Sequence, residues 1–305
     1  MTANQRKAYF YALLCVLFWS TVASAFKISL RYLSYIELLM IASLVSALTL
    51  YLILVAQKKT SLLKNLRRRD LAVSISMGFL SPFLYYLFVF KSYSLLPAQQ
   101  AQPLNLIWGI VMVLMAIPIL KQKVKMRTLI AVFISFAGVI VISTEGQLAL
   151  LKIKNPLGVS LALGSSVLWS LYWLLNTRDK QDPLIRLFLN FCFGTLFVFI
   201  YMILFCPLRF PRWEGIAGAA YAGLFEMGIT FYFWLKAMKL SETAAKVSIL
   251  IYIMPFLSLV LIHLLVGETI LFSSFAGLVL IVSGIILEKT DILGNPSKSG
   301  SRSQG

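Results

Sequence analysis

Ten stretches of this chain, each about 18–23 residues long and almost free of charge, are long enough to cross a hydrocarbon layer. A bilayer core of roughly 30 Å takes about 20 helical residues at ~1.5 Å each. Lipid offers no water to backbone amides, so each stretch must close its own hydrogen bonds as a helix. The windows fall at 8–26, 35–56, 71–90, 100–120 and 128–145 in the first half. In the second half they fall at 157–176, 184–206, 215–235, 247–266 and 270–287. Connections are short, which leaves hardly any chain for a soluble domain. The expected fold class is an all-α integral membrane protein with ten transmembrane helices.

Charge placement orients the spans. The net charge of +17 would fit a nucleic-acid partner if it lay on a folded platform. Instead, with the N-terminus cytoplasmic, 21 of the 28 basic residues fall on the inner side, including Lys58, Lys59, Lys64, Arg67, Arg68, Arg69, Arg186 and the group from Lys121 to Arg127. Seven remain outside, Lys27, Arg31 and Lys91 among them. Basic residues concentrate on the cytoplasmic face of membrane proteins. The excess charge therefore reads as topology, with both termini inside the cell (plasma or inner) membrane and no role for nucleic acid. Arg6, Lys7, the apolar run and Ala23-Ser24-Ala25 imitate a signal peptide. Cleavage there would break the repeat described next, so the run is taken as span one. Cys15, Cys192 and Cys206 lie in or beside spans and offer neither metal spacing nor a disulfide framework.

The halves echo each other. An offset of 145 pairs Gly78 with Gly223, Phe88 with Phe233, Lys91 with Lys236 and Leu95 with Leu240. An offset of 146 pairs Gly138 with Gly284, and one of 150 pairs Trp19-Ser20 with Trp169-Ser170. Five spans per copy is odd, so the second copy enters the membrane upside down. The loops agree: Lys121 to Arg127 holds four basic residues, whereas Gly267 to Ser273 holds none and carries Glu268. A 5+5 inverted-topology repeat is an architecture of alternating access around a site near the midplane. The expected units are residues 8–145, residues 156–288 and a cytoplasmic tail, 289–305, whose Ser/Gly-rich end predicts disorder.

Several residues could carry chemistry. Glu226 is the one acid near the centre of any span, and such groups face a cavity or a partner. It would serve in binding or in reversible protonation; the alternative is a neutral acid tying two helices together. Trp19 and Trp169 occupy equivalent positions in the two copies and could flank a flat solute, or simply pack. On span six, Ser165, Ser166, Trp169, Tyr172, Trp173 and Asn176 form one polar-aromatic stripe. Span four brings Gln99, Gln100, Gln102, Asn105 and Trp108, amides able to recognise a solute or to bond backbone freed by Pro103. Span nine places Tyr252 and His263 on one face, where a lone histidine is more often bonded to a neighbour than part of a relay. With Tyr85 of span three, the candidate solute-contacting set is Glu226, Trp19, Trp169, Asn105, Tyr252, Tyr172 and Tyr85. Lys27, Lys91, Lys236 and Lys246 sit near span ends, where snorkelling to headgroups would explain them. The glycines at 138, 277 and 284 read as close helix contacts.

Leu17-Phe18-Trp19-Ser20-Thr21, Val167-Leu168-Trp169-Ser170-Leu171-Tyr172, Tyr252-Ile253-Met254-Pro255-Phe256, Val266-Gly267-Glu268 and the Gly277–Gly284 stretch carry a resemblance over residues 8 to 288. In order across ten spans, they make the chain resemble the drug/metabolite transporter superfamily, of the ten-helix type built from two EamA domains. Two departures stand out: Lys121-Gln122-Lys123 where the second half has Gly267-Glu268, and Asn105-Leu106-Ile107 opposite the tyrosine-proline stretch. The resemblance implies secondary export of a small metabolite, such as an amino acid or related solute, often against a proton gradient. The implied partners are that solute, the bilayer and protons, with no cofactor; neither the solute nor an oligomeric state is set. An integral-membrane enzyme is the alternative class, though the chain has one histidine, no G-x-S-x-G elbow and no carboxylate cluster. A channel or scaffold is the third, which the five-plus-five inversion fits less well than transport. No nucleotide-binding loop is present in the sequence, which argues against ATP as the energy source.

Overall fold

Apolar periodicity and internal capping turn nearly every predicted span into a helix. The structure, a computed structural model, describes residues 3–120, 126–147, 153–176, 179, 181–206, 211–241, 250 and 253–294. Among these residues there are helices and short connections and no strand. The first half holds α1 (Ala3–Ser29), α2 (Tyr35–Ala56), α3 (Arg68–Gly78), α4 (Tyr85–Leu95), α5 (Ala98–Leu106), α6 (Trp108–Leu120) and α7 (Met126–Ser143). The second holds α8 (Pro156–Asn176), α9 (Pro183–Phe205), α10 (Trp213–Ala222), α11 (Ile229–Leu240), α12 (Met254–Leu261) and α13 (Phe272–Gly294).

Local chemistry fixes where these helices begin. Ser34 and Glu37 form a reciprocal capping box that starts α2 where its apolar run begins. Asp182 accepts from the amides of Leu184 and Ile185 ahead of Pro183, so α9 opens with a satisfied first turn. Two segments interrupt longer helices: Phe79–Leu84, where Ser81 is extended ahead of Pro82 and the run from α3 to α4 kinks, and Gly223–Gly228, which joins α10 to α11. The second is a π-type wide turn, which shifts the face that the following side chains present.

Six helical runs are long and apolar enough to cross a membrane, among them Arg68–Leu95 and Trp213–Trp234, and three shorter apolar helices accompany them. The outer surface is apolar in a way water would not tolerate: Phe272 is 84 % exposed, Phe133 75 % and Phe205 69 %. Together these features make this a multi-pass membrane protein. Inside, α1 lies along α11, α4 along α8, α2 along α9, and α7 along α13.

Four sequence expectations change here. The third span runs from Arg68 to Leu95 rather than 71–90, and the eighth begins at Trp213 and continues to Leu240. Lys91 and Lys236 do not end their helices, which run on to Leu95 and Leu240, and their ammonium groups lie over tyrosine rings, 4.5 Å from Tyr35 and 4.7 Å from Tyr232. Lys27 does not reach for headgroups; its Nζ donates to the carbonyls of Tyr93 at 2.8 Å and Leu96 at 2.7 Å. Arg186, counted with the loop charges, is only 3 % exposed and bonds to Asp179, Ser74 and the Asp70 carbonyl. Lys246, the segment 121–125 and the end of the tail lie outside the described residues.

Candidate functional site

Glu226 sits inside the Gly223–Gly228 wide turn, partly exposed, in the middle of the run from α10 to α11. Tyr86 of α4 donates its hydroxyl to Glu226 Oε1 at 3.2 Å. The backbone carbonyl of the same residue accepts the indole N–H of Trp19 at 3.3 Å. A wide turn leaves a helical carbonyl without its usual partner, and the Trp19 indole of α1 supplies one. One glutamate thus holds α1 and α4 against α11 through two different groups.

A cavity of about 360 Å³ opens beside it, bounded by α1, α4, α5, α6, α8, α11 and the start of α12. Its walls are aromatic. Trp169 stacks on Tyr85 with ring centres 4.6 Å apart, and Phe231 bridges Trp19 (6.2 Å) and Trp169 (6.0 Å). Trp234 completes the arc, 5.7 Å from Trp19. Asn105, near the joint between α5 and α6, gives its amide hydrogen to Ser165 at 2.7 Å and faces the Tyr85 hydroxyl at 3.4 Å. Gln102, one turn earlier, is buried at the wall, and its Oε1 has no hydrogen-bond partner among the described residues. No group of three or more metal-ligating side chains occurs among the described residues.

The two ends of the cavity differ. Phe26, Val89 and Tyr93, toward the far ends of α1 and α4, are each about 4 % exposed. Trp108, Met112, Trp173, Trp234 and Met254, at the other end, are partly exposed. The sealed end is held by polar bonds. Glu268 accepts from the amides of Ala98 and Gln99 at the start of α5, and Gln99 in turn bridges the Thr269 carbonyl and the Leu271 amide. Arg31 bonds the Val266 carbonyl, and His263 Nδ1 lies 3.0 Å from the Glu268 carbonyl.

Five residues singled out in the sequence therefore meet around one cavity: Glu226, Trp19, Trp169, Asn105 and Tyr85. Tyr172 does not line it; its ring stacks behind Trp169 and its hydroxyl accepts from Asn190. Tyr252 lies outside the described residues. Sequence reasoning missed Tyr86 and Phe231. The signal was present, since the 145-residue offset that pairs Gly78 with Gly223 also pairs Tyr86 with Phe231.

The model of the EamA-like transporter family matches residues 6–144 and again 156–288. A protein of Clostridium kluyveri named an uncharacterized transporter is 26 % identical over 92 % of this chain and 93 % of its own length. One from Archaeoglobus fulgidus, named likewise, is 22 % identical over 92 % of this chain and 98 % of its own. A solved crystal structure is similar with a TM-score of 0.65 and 21 % identity, covering 93 % of this chain and 96 % of that one; at that identity the likeness speaks for the fold alone. Two successive matches to one family model, spanning nearly the whole described bundle, make this chain a member of the EamA-like transporter family.

Proposed function

We propose that the protein is a secondary transporter that carries a small organic solute through the cavity beside Glu226 by alternating access. The observation that carries this reading is a carboxylate in mid-span, partly exposed, at the wall of an aromatic cavity enclosed by helices from both halves of the chain. An acid at that depth is costly unless function retains it. Protons are the proposed coupling ion, with Glu226 as the group that binds them, and export the proposed direction.

The reading extends to ten spans arranged as two inverted five-span units, residues 8–145 and 156–288, with both termini cytoplasmic. Packing between the halves supports it. Where α1 of the first half lies on α11, α8 of the second lies on α4, and the pairs α2–α9 and α7–α13 join equivalent helices. Both halves also interrupt a helix at corresponding places, Phe79–Leu84 and Gly223–Gly228. Ser81 stands in the first segment where Glu226 stands in the second, so the proton site belongs to one copy only.

The test is flux of a metabolite panel, amino acids included, in reconstituted vesicles with and without a pH gradient. Flux that rises with the gradient in wild type and ignores it in Glu226→Gln is expected. A Glu226→Gln protein with wild-type, gradient-driven flux would remove that residue from coupling.

A further inference from the structure

We infer that the solute is a small organic cation, an ammonium on an apolar or aromatic body; this rests on reading the cavity as the transport site. Among the described residues that line the cavity, Glu226 is the one acid, and lysine, arginine and histidine are absent. The nearest lysine in sequence, Lys27, follows Phe26 of the lining but has its ammonium on the carbonyls that end α4.

Two acceptor oxygens at the wall stand open to such a charge. Gln102 presents an unpartnered, buried acceptor oxygen. The indole N–H of Trp19 is spent on the Glu226 carbonyl, the Tyr86 proton on Glu226 Oε1, and an Asn105 amide hydrogen on Ser165. The second carboxylate oxygen, Oε2, carries no hydrogen bond among the described residues. A solute carboxylate or phosphate would meet this oxygen with no cation to answer it, and like-charge contact in a water-poor cavity is repulsive.

The rings of Trp19, Trp234 and Phe231, which meet one another edge-on or tilted and not stacked, add the remaining attraction. Ring faces are negative and draw a cation within about 6 Å of the centroid, most strongly when it is desolvated. The protein already uses this contact elsewhere, with Lys91 over Tyr35 and Lys236 over Tyr232. A volume of about 360 Å³ lies near the lower end of the ~300–1,000 Å³ range of small-molecule sites. One ring or a few alkyl groups around a single positive charge would fill it.

The experiment uses three probes of one size and different charge: benzylammonium, benzyl alcohol and benzoate, followed by tryptophan fluorescence of the purified protein. Phenyltrimethylammonium and phenylalanine serve for flux in vesicles, because a quaternary ammonium cannot cross lipid by losing a proton. We expect benzylammonium to bind at least about tenfold tighter than benzyl alcohol, benzoate not to compete, and phenyltrimethylammonium to be carried. Glu226→Gln should erase the preference for charge, Glu226→Asp should keep it, and Trp234→Ala should weaken cation binding about tenfold. Equal binding of alcohol and cation, or carriage of phenylalanine with the cations ignored, overturns the inference and leaves transport standing. Cation binding with no flux of any solute upholds the inference as a binding site and removes the transport reading.

Discussion

At the scale of single residues, Tyr86 is the most informative side chain, because it joins the proposed coupling acid to the far half of the bundle. Its hydroxyl is the one side-chain donor to the Glu226 carboxylate among the described residues, and its ring is buried. A hydrogen bond to a charged group is worth about 1.5–3 kcal/mol. Tyr86→Phe keeps the ring and removes that bond, so turnover in vesicles should fall about tenfold with an unchanged gel-filtration profile. Wild-type turnover would mean the bond has no part in the cycle. The sequence made Glu226 legible because a charge in an apolar run has few innocent explanations. Tyr86 and Phe231 stayed hidden because one tyrosine or phenylalanine among 35 looks like packing until a partner is known. Tyr172, which helical spacing places on the stripe with Trp169, stacks on that ring and turns its hydroxyl to Asn190 on α9.

At the scale of elements, the contact between α7 and α13 depends on missing side chains. A Cβ built on Gly138 would lie 2.5 Å from the Gly277 carbonyl oxygen, and one on Gly284 would lie 2.2 Å from Ser135 Oγ. Gly109 of α6 is a natural control, since a Cβ there meets Ile285 at an ordinary 3.5 Å. Overpacking costs about 1–3 kcal/mol, so Gly138→Ala should lower the melting temperature in detergent while Gly109→Ala leaves it unchanged. Equal melting temperatures for both would show that the two helices can part without loss. These contacts were readable as small residues in apolar helices. Arg186 was not. Its place among loop charges concealed that α9 begins early enough to bury it against Asp179 and the start of α3. Removing one member of a buried pair costs about 3–5 kcal/mol. Arg186→Met should therefore reduce folded yield sharply, and full yield would show the charge network to be dispensable.

At the scale of the whole molecule, the cavity lining is buried at one end and partly exposed at the other, which for the proposed carrier would be one station of a cycle. To reach the opposite station, the bonds around Glu268 must break. That carboxylate satisfies two free amides at the start of α5, where the helix dipole also favours a negative group. The corresponding point of the first half carries Gln122, so the sequence provides one acid-capped gate rather than two. A neutral residue at 268 weakens the seal without touching the cavity, shifting the population toward the state open on the Glu268 side. A cysteine at Phe26, buried behind that seal, reports the change. In a background with Cys15, Cys192 and Cys206 replaced, Phe26→Cys should react slowly with a membrane-impermeant thiol reagent added on the Glu268 side. Adding Glu268→Gln should speed the reaction several-fold, and saturating solute trapped on the open side should slow it again. A labelling rate indifferent to Glu268 would place the moving barrier elsewhere in the bundle.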